Sequence, residues 1–348
     1  MNASRRSCLM LSQLAPVYLD AIETELRRAV GAGPAHLSEY YAMLAYHLGW
    51  QDEQGHPAPA SARGKRLRPL LCVLSCAAAG GVWERALPIA AAIELLHNFS
   101  LIHDDIQDNS PLRRGRPTVW ARWGQAQAIN AGDAMFILAH LAPQALLARG
   151  VSPADALSTL EDFDHTCLML TQGQYLDMSF EKREQVSVTE YMAMIEAKTA
   201  ALIAAATRLG ACLARADEKR VESLYGYGRS LGLAFQVQDD LLGIWGDPAV
   251  TGKSAASDLE KRKKSLPVVY GLEHSPQFAR AYAQPHQPGE SVADLAATLE
   301  KLGARDYAQQ KAHALTTEAL AHLEAAAVGG EAGVALRELT DQLLNRHS

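Results

Sequence analysis

Apolar residues recur along most of this chain at helical rather than strand-like spacing, and Val-, Ile- and Thr-rich alternating runs are nearly absent. The pattern predicts a first helix over Pro16–Val30, stopped at "GAGP". The Pro- and Gly-rich stretch Gly49–Gly64, "GWQDEQGHPAPASARG", reads as a loop, and Leu67–Ala79 as a helix. A long helix follows from Trp83 to Asp108, ended by "NSP", and another from Thr118 to Arg149. Further helices fit Pro153–Phe180, Thr189–Ala214 and Asp217–Trp245. Gly246–Lys264 lacks helical periodicity and reads as a loop; from Ser291 the Ala/Leu/Glu helices resume. Residues 1–15 are expected to be loosely ordered, and 16–348 to form one all-α domain, because no repeat or boundary is visible.

Composition agrees. Of 348 residues, 48% are hydrophobic but only 6% aromatic, and alanine and leucine, which lose little entropy in a helix, dominate. The net charge of −6 argues against a nucleic-acid partner while leaving room for a local basic pocket. Cys72 and Cys76 lie one helical turn apart, but no second pair completes a metal site, so the five cysteines read as free thiols of a reducing cytoplasm. No uninterrupted run of about 18 apolar residues is present, so no transmembrane helix is expected. The opening "SRRSCLML" has only a short apolar run after its arginines and reads as a frayed terminus rather than an export signal.

The chemistry concentrates in "LIHDDIQDNSPLRRG", Leu101–Gly115. Asp104 and Asp108 share a helix face one turn apart, with Asp105 beside them. Such carboxylates repel, so a cation should compensate, and hard oxygen ligands at this spacing suit Mg²⁺ bridged to phosphate. "AFQVQDDLLGIWGD" repeats the theme with Asp239 and Asp240 in an apolar helix, Gln236 one turn before Asp240. Adjacent aspartates there are costly unless they bind something. Basic residues supply the counterpart: Arg63, Lys65, Arg66 and Arg68 in "RGKRLRP", then Arg113 and Arg114, the apolar-flanked Lys198, and Lys253, Lys261, Lys263 and Lys264. The run "KRKK" alone reads as solvated surface. His97 falls near the stripe of Asp104 and Asp108.

The pieces "GKRLRP", "DDIQD…RRG", "GDAMF", "GQYLD", "KT" and "FQVQDD…GDPAVTGK…K", in that order between Gly64 and Lys264, resemble the trans-isoprenyl diphosphate synthases, the polyprenyl synthetase family. The resemblance implies antiparallel helices around a deep central cavity, a homodimer, and elongation of an allylic diphosphate (dimethylallyl, geranyl or farnesyl) by isopentenyl diphosphate. It implies that Asp104, Asp105 and Asp108 bind Mg²⁺ from one side and Asp239 and Asp240 from the other, with three ions present when substrate is bound. Arg113, Lys198, Lys253 and Lys263 would hold the allylic diphosphate; Lys65, Arg68, His97 and Arg114 would hold isopentenyl diphosphate. Thr199 and Gln236 would stabilise the allylic cation, and Gln174 and Asp177 would line the metal site. The chain departs from the family's pattern at Arg63, where a glycine is usual, and at Gly243, where a third aspartate often stands.

Phe99, five before Asp104, and Ser100, four before, resemble the tail-facing pair of a geranylgeranyl diphosphate synthase. A helical wheel turns Phe99 away from Asp104 and leaves Ser100 nearer its stripe, so Phe99 also fits as core, and farnesyl or longer products stay open. Two other readings remain: a terpene cyclase, which needs one diphosphate pocket, and a non-catalytic partner subunit, which would be marked by loss of the paired aspartates.

Overall fold

The computed structural model describes residues 10–246, 257–283 and 291–344. Its elements are almost all helical: α1 Met10–Val30, α2 Ser38–His47, α3 Leu67–Ala78, α4 Leu87–Gln107, α5 Val119–Trp123, α6 Gln125–Leu141, α7 Pro153–Lys182 and α8 Val188–Ile195. They continue with α9 Ala201–Leu213, α10 Glu218–Trp245, α11 Ser257–Glu260, α12 Leu266–His274, α13 Pro276–Ala283, α14 Val292–Lys301, α15 Ala304–Ala325 and α16 Gly330–Leu344. Among the described residues the only sheet is a hairpin of β1 Leu112–Arg113 and β2 Arg116–Pro117.

The chain divides into two compact units, residues 1–163 with 206–221 and 328–338, and residues 164–205 with 222–327 and 339–348. No linker separates them at 163/164, 205/206, 221/222 or 338/339, each of which falls inside a helix. In the first unit α4 is buried around its whole circumference from Leu87 to Leu96 and packs on α1, α3 and α6. In the second, Ile244, Val268, Leu272, Phe278, Tyr282, Leu295 and Leu299 form a core cluster.

Several boundaries differ from the sequence expectation. α1 begins at Met10, not Pro16; Leu11 is buried and its amide donates to Glu338 Oε2 at 2.8 Å, a contact no local pattern reveals. The helix expected over Thr118–Arg149 breaks at Gly124, whose φ is 83°, and ends as 3₁₀ turns from Ala142. A helical turn, α11, lies within the loop expected at Gly246–Lys264. Trp83–Gln107 and Gln125–Arg149 have the length and apolar content of a bilayer span by composition alone, isolated residues such as Glu94 and Asn98 breaking the apolar run without offsetting it. The first stretch is 72% buried, as a core helix is; the second is 39% buried.

Candidate active site

α4 stops in a Schellman arrangement: the Asn109 amide donates to Ile106 O at 3.2 Å and the Ser110 amide to Asp105 O at 2.9 Å, with Asn109 left-handed at φ 50°. Asp104 and Asp105 therefore occupy the last turn and Asp108 the cap, where the helix dipole is negative and carboxylates are disfavoured. The hairpin compensates. Arg114 (φ 53°) and Gly115 (φ 73°) form a two-residue turn of the left-handed kind tight hairpins favour, and it folds Arg113 back onto Asp105. Arg113 Nε donates to Asp105 Oδ1 and Oδ2 at 2.9 and 3.0 Å, and Nη2 lies 2.8 Å from Oδ1. Burial pushes the Asp105 carboxyl up, with Arg113 pulling it down. The aspartates thus divide: Asp105 is buried against Arg113, whereas Asp104 is half-buried and Asp108 exposed on one face.

A basic pocket adjoins this helix end. Arg68 Nη1 lies 3.2 Å from His97 Nε2. A guanidinium only donates, so Nε2 accepts and the imidazole proton sits on Nδ1. Desolvation and the charges of Arg68, Arg114 and Arg113 hold His97 well below its ordinary value, so it is neutral; desolvation and the arginines hold nearby His47 at about 3. Gly64, at φ 74°, has its Cα hydrogen where a methyl group would lie 2.7 Å from the Arg114 guanidinium carbon, so the loop carrying Lys65 can approach Arg114. Lys65 and Arg114 are exposed, and Arg68 and His97 half-buried. A small cavity lined by His47, Asp105, Arg113, Arg114 and Arg116 opens beside them.

Arg66, a residue that the motif reading left without a role, organises the floor of this pocket. It is buried in the left-handed conformation at φ 46°. Its Nε donates to Glu23 Oε1 at 2.6 Å, Nη1 to Glu94 Oε1 at 2.8 Å and Nη2 to Leu48 O at 2.8 Å. Asn98 Nδ2 donates to the same Glu94 oxygen at 3.0 Å, one residue from His97.

The second unit holds the other predicted residues. Asp239 is exposed on α10 and Asp240 buried. Asp240 accepts from the Tyr191 hydroxyl, from the Leu266 amide at 2.9 Å and from Gln236 Nε2 at 3.0 Å. Burial pushes its carboxyl up to about 6, against the pull of Lys263 and these donors. Thr199 Oγ1 in turn donates to Gln236 Oε1 at 3.0 Å, giving a chain Thr199–Gln236–Asp240. Lys198 Nζ pairs with Asp177 Oδ2 at 2.5 Å, which explains a lysine in so apolar a stretch. Desolvation pulls the Lys263 ammonium down, but Asp258, Asp240, Asp177 and Asp239, in that order, push it above the ordinary lysine value. Lys264, from the same basic run, is not solvated surface: its Nζ donates to Phe180 O and Arg183 O, both at 2.5 Å, capping the end of α7.

Lys198 and Thr199 lie in a π-helical turn, Glu196–Ala200, interrupting what the sequence predicts as one α-helix. Such turns are strained single insertions that re-aim side chains and recur at functional sites. Two glycines accommodate this one. A methyl group on Gly173 would lie 2.6 Å from Lys198 Cα, and one on Gly232 2.7 Å from Ala200 Cα. Arg229 clamps Glu196 through two bonds of 2.6 Å. Gln174 is half-buried beside Gly173 and precedes Asp177 by nearly one turn of α7. Lys253 lies outside the described residues.

Phe99 packs on His103 and Phe136 with ring centroids 4.8 and 5.0 Å apart, and Phe136 continues to His140 at 4.4 Å. Ser100 Oγ donates to His97 O at 2.8 Å. Phe99 therefore faces α6.

Residues 57–321 match the polyprenyl synthetase family. Among similar proteins, a (2E,6E)-farnesyl diphosphate synthase of Mycobacterium tuberculosis is 40% identical over 314 residues, 88% of this chain and 86% of that one. A geranylgeranyl diphosphate synthase of the same organism is 40% identical over 273 residues, covering 77% of each chain. The crystal structure of a polyprenyl synthetase from Streptomyces coelicolor A3(2) superposes with TM-score 0.84 at 39% identity, covering 93% of this chain and 97% of that one. A geranylgeranyl pyrophosphate synthase from Corynebacterium glutamicum, complexed with isoprenyl diphosphate and magnesium, gives TM-score 0.79 at 28% identity, covering 95% and 98%. The chain belongs to the polyprenyl synthetase family. It has that family's all-α fold and is a trans-prenyltransferase.

Proposed function

We propose that the protein condenses isopentenyl diphosphate with an allylic diphosphate, yielding a short-chain trans-polyprenyl diphosphate, geranylgeranyl diphosphate being the product we assign. The reading is supported by the basic pocket in which Arg68 lies 3.2 Å from His97 and Gly64 lies against Arg114; we assign Arg113, Lys198, Lys253 and Lys263 to the allylic diphosphate, and this pocket, with Lys65, to isopentenyl diphosphate. A terpene cyclase has no use for it. Product formed from an allylic diphosphate only when isopentenyl diphosphate is added confirms the reading; product formed without it makes the protein a cyclase. Activity appearing only on mixing with a second chain makes it a partner subunit.

The donor set fits a hard divalent cation. Asp104, Asp108 and Asp239 present carboxylate oxygens that reach solvent, while Asp105 and Asp240 are buried and hydrogen-bonded in support. Mg²⁺ held by these carboxylates would supply neutralisation of the charge that develops on the leaving diphosphate. Lys198 and Arg113 change partners, from Asp177 and Asp105 to the departing phosphate oxygens. The Thr199 hydroxyl, polarised through Gln236 by the Asp240 carboxylate, turns its lone pairs to the allylic cation. His97, neutral, places the diphosphate of isopentenyl diphosphate without adding charge. The double bond of isopentenyl diphosphate attacks the cation, and the proton lost from the adduct passes to the released diphosphate, so no side-chain base is required.

The product assignment rests on Phe99 and Ser100. Phe99→Ala is expected to shift the product spectrum to longer chains, read by chromatography of the dephosphorylated products; an unchanged spectrum removes Phe99 from the floor of the tail cavity. The exposed Ile129, Ile137 and Leu141 on one face of α6 support a homodimer. The described cysteines Cys72, Cys76, Cys167 and Cys212 form no disulfide, which supports the cytoplasm as its compartment.

A further inference from the structure

The loop Gly49–Gly64 joins α2 to the basic motif, and its Pro- and Gly-rich composition carries no sign of fixed structure. It is built nonetheless. The Ala58 amide donates to Trp50 O at 3.0 Å and the Asp52 amide to His56 O at 2.8 Å. Asp52 Oδ1 accepts from the amides of Gln54 and His56, both at 2.8 Å. The two ends of the loop meet: Gly49 has φ 75°, and a methyl group there would overlap Ala62 O. Arg114 Nη1 lies 3.5 Å from the same Ala62 O, and its guanidinium abuts Gly64. Where the loop lies therefore decides where Arg114 and Lys65, the residue after Gly64, can stand.

Two arginines beyond the hairpin turn hold the loop. Arg116, on β2, donates from Nη2 to Gln51 O at 2.7 Å and from Nη1 to Tyr46 O at 3.4 Å. Its guanidinium carbon sits 4.0 Å from the centre of the Tyr46 ring, a cation–π contact. The buried Tyr46 is fixed in turn: its hydroxyl donates to Pro117 O at 2.8 Å, and its ring meets Trp123 edge-on at 5.2 Å. Arg122, on α5, donates to Glu53 O nearer the tip of the loop. A cavity of about 570 Å³, lined by Asp52, Glu53, Gln54 and Ser61 of the loop and by Arg114 and Arg116, separates loop from hairpin there. On that side guanidinium groups, rather than packed side chains, tie the two together.

We propose that Arg116 is a positioning residue for isopentenyl diphosphate: stacked on Tyr46, it clasps the Gly49–Gly64 loop and so sets Arg114 and Lys65 in the pocket assigned to that substrate. The inference rests on that assignment and adds to it a residue that acts through others.

The test combines KM for each substrate, measured separately together with kcat, and hydrogen exchange of the loop amides in the full chain. Arg116→Ala is expected to raise KM for isopentenyl diphosphate about 10-fold, as when the competent pocket is assembled about one tenth of the time. KM for the allylic diphosphate, and kcat at saturating isopentenyl diphosphate, should change less than about twofold, because Arg113 keeps its own partner, Asp105. The amides of Asp52, His56 and Ala58 should exchange faster. Arg116→Lys should resemble Arg116→Ala, since an ammonium supplies the charge without the planar fork that reaches Gln51 O and stacks on Tyr46. Arg122→Ala, at an exposed position, loosens the same loop and is expected to raise the same KM by a smaller factor; it answers the question should Arg116→Ala fail to fold. An unchanged KM for isopentenyl diphosphate, a rise shared equally by both substrates, or recovery in Arg116→Lys overturns the inference. Lys65→Ala separates it from the reading beneath. If Lys65→Ala raises KM for isopentenyl diphosphate while the Arg116 and Arg122 variants do not, only the inference fails. If Lys65→Ala leaves that KM unchanged, or the wild-type chain consumes no isopentenyl diphosphate, the pocket assignment fails and the inference with it.

Discussion

Asp104→Ala and Asp239→Ala are each expected to lower kcat about 1,000-fold, a loss of about 4 kcal/mol of transition-state stabilisation, with little change in thermal stability. The magnitude follows from what is removed. Neither residue is fully buried, so neither substitution leaves a cavity in the core. Each removes one carboxylate oxygen donor that would anchor Mg²⁺ as the leaving diphosphate gains charge. The same substitution at Asp105 or Asp240 should behave differently, because those carboxylates hold Arg113 in one case and the Tyr191 hydroxyl, Gln236 and the Leu266 amide in the other. There the activity loss should come with a fall in Tm. Steady-state rates at saturating Mg²⁺ alongside thermal denaturation check the contrast. Near-normal turnover in Asp104→Ala or Asp239→Ala removes the metal assignment.

Arg66→Ala is expected to be the most destabilising single change in the motif loop, costing about 3–5 kcal/mol. The side chain is 2% exposed and pairs with Glu23 and Glu94, themselves 12% and 4% exposed. Truncation strands two carboxylates away from water and unties Leu48 O. It also releases the loop between Lys65 and Arg68, so KM for isopentenyl diphosphate should rise in whatever protein still folds. Urea denaturation gives the first quantity and substrate titration the second. An unchanged denaturation midpoint would contradict the role given to this arginine.

Much of this was legible in the sequence where the signal is local. Asp104 and Asp108 lie one turn apart, as do Gln236 and Asp240, and helical spacing alone places each pair on one face. The stop at "NSP" announced the end of α4, and the left-handed Asn109 delivers it. What escaped depends on residues far apart in the chain. Arg66 reads as one more cation in a basic loop until Glu23, 43 positions earlier, is seen to hold it. Tyr191 has no motif around it and is defined only by reaching Asp240, 49 positions on. The π-helical turn carries no composition signal of its own; it is held from outside by Gly173, Gly232 and Arg229.

The proposed function requires that both acidic clusters, distant in sequence, hold cations on diphosphate. A crystal soaked with Mn²⁺ and inorganic pyrophosphate, with data collected at the manganese edge, tests it most directly. The account predicts anomalous peaks on a single pyrophosphate, ligated by Asp104 and Asp108 on one side and by Asp239 on the other. Manganese at one cluster alone, or a separate pyrophosphate at each, would contradict it.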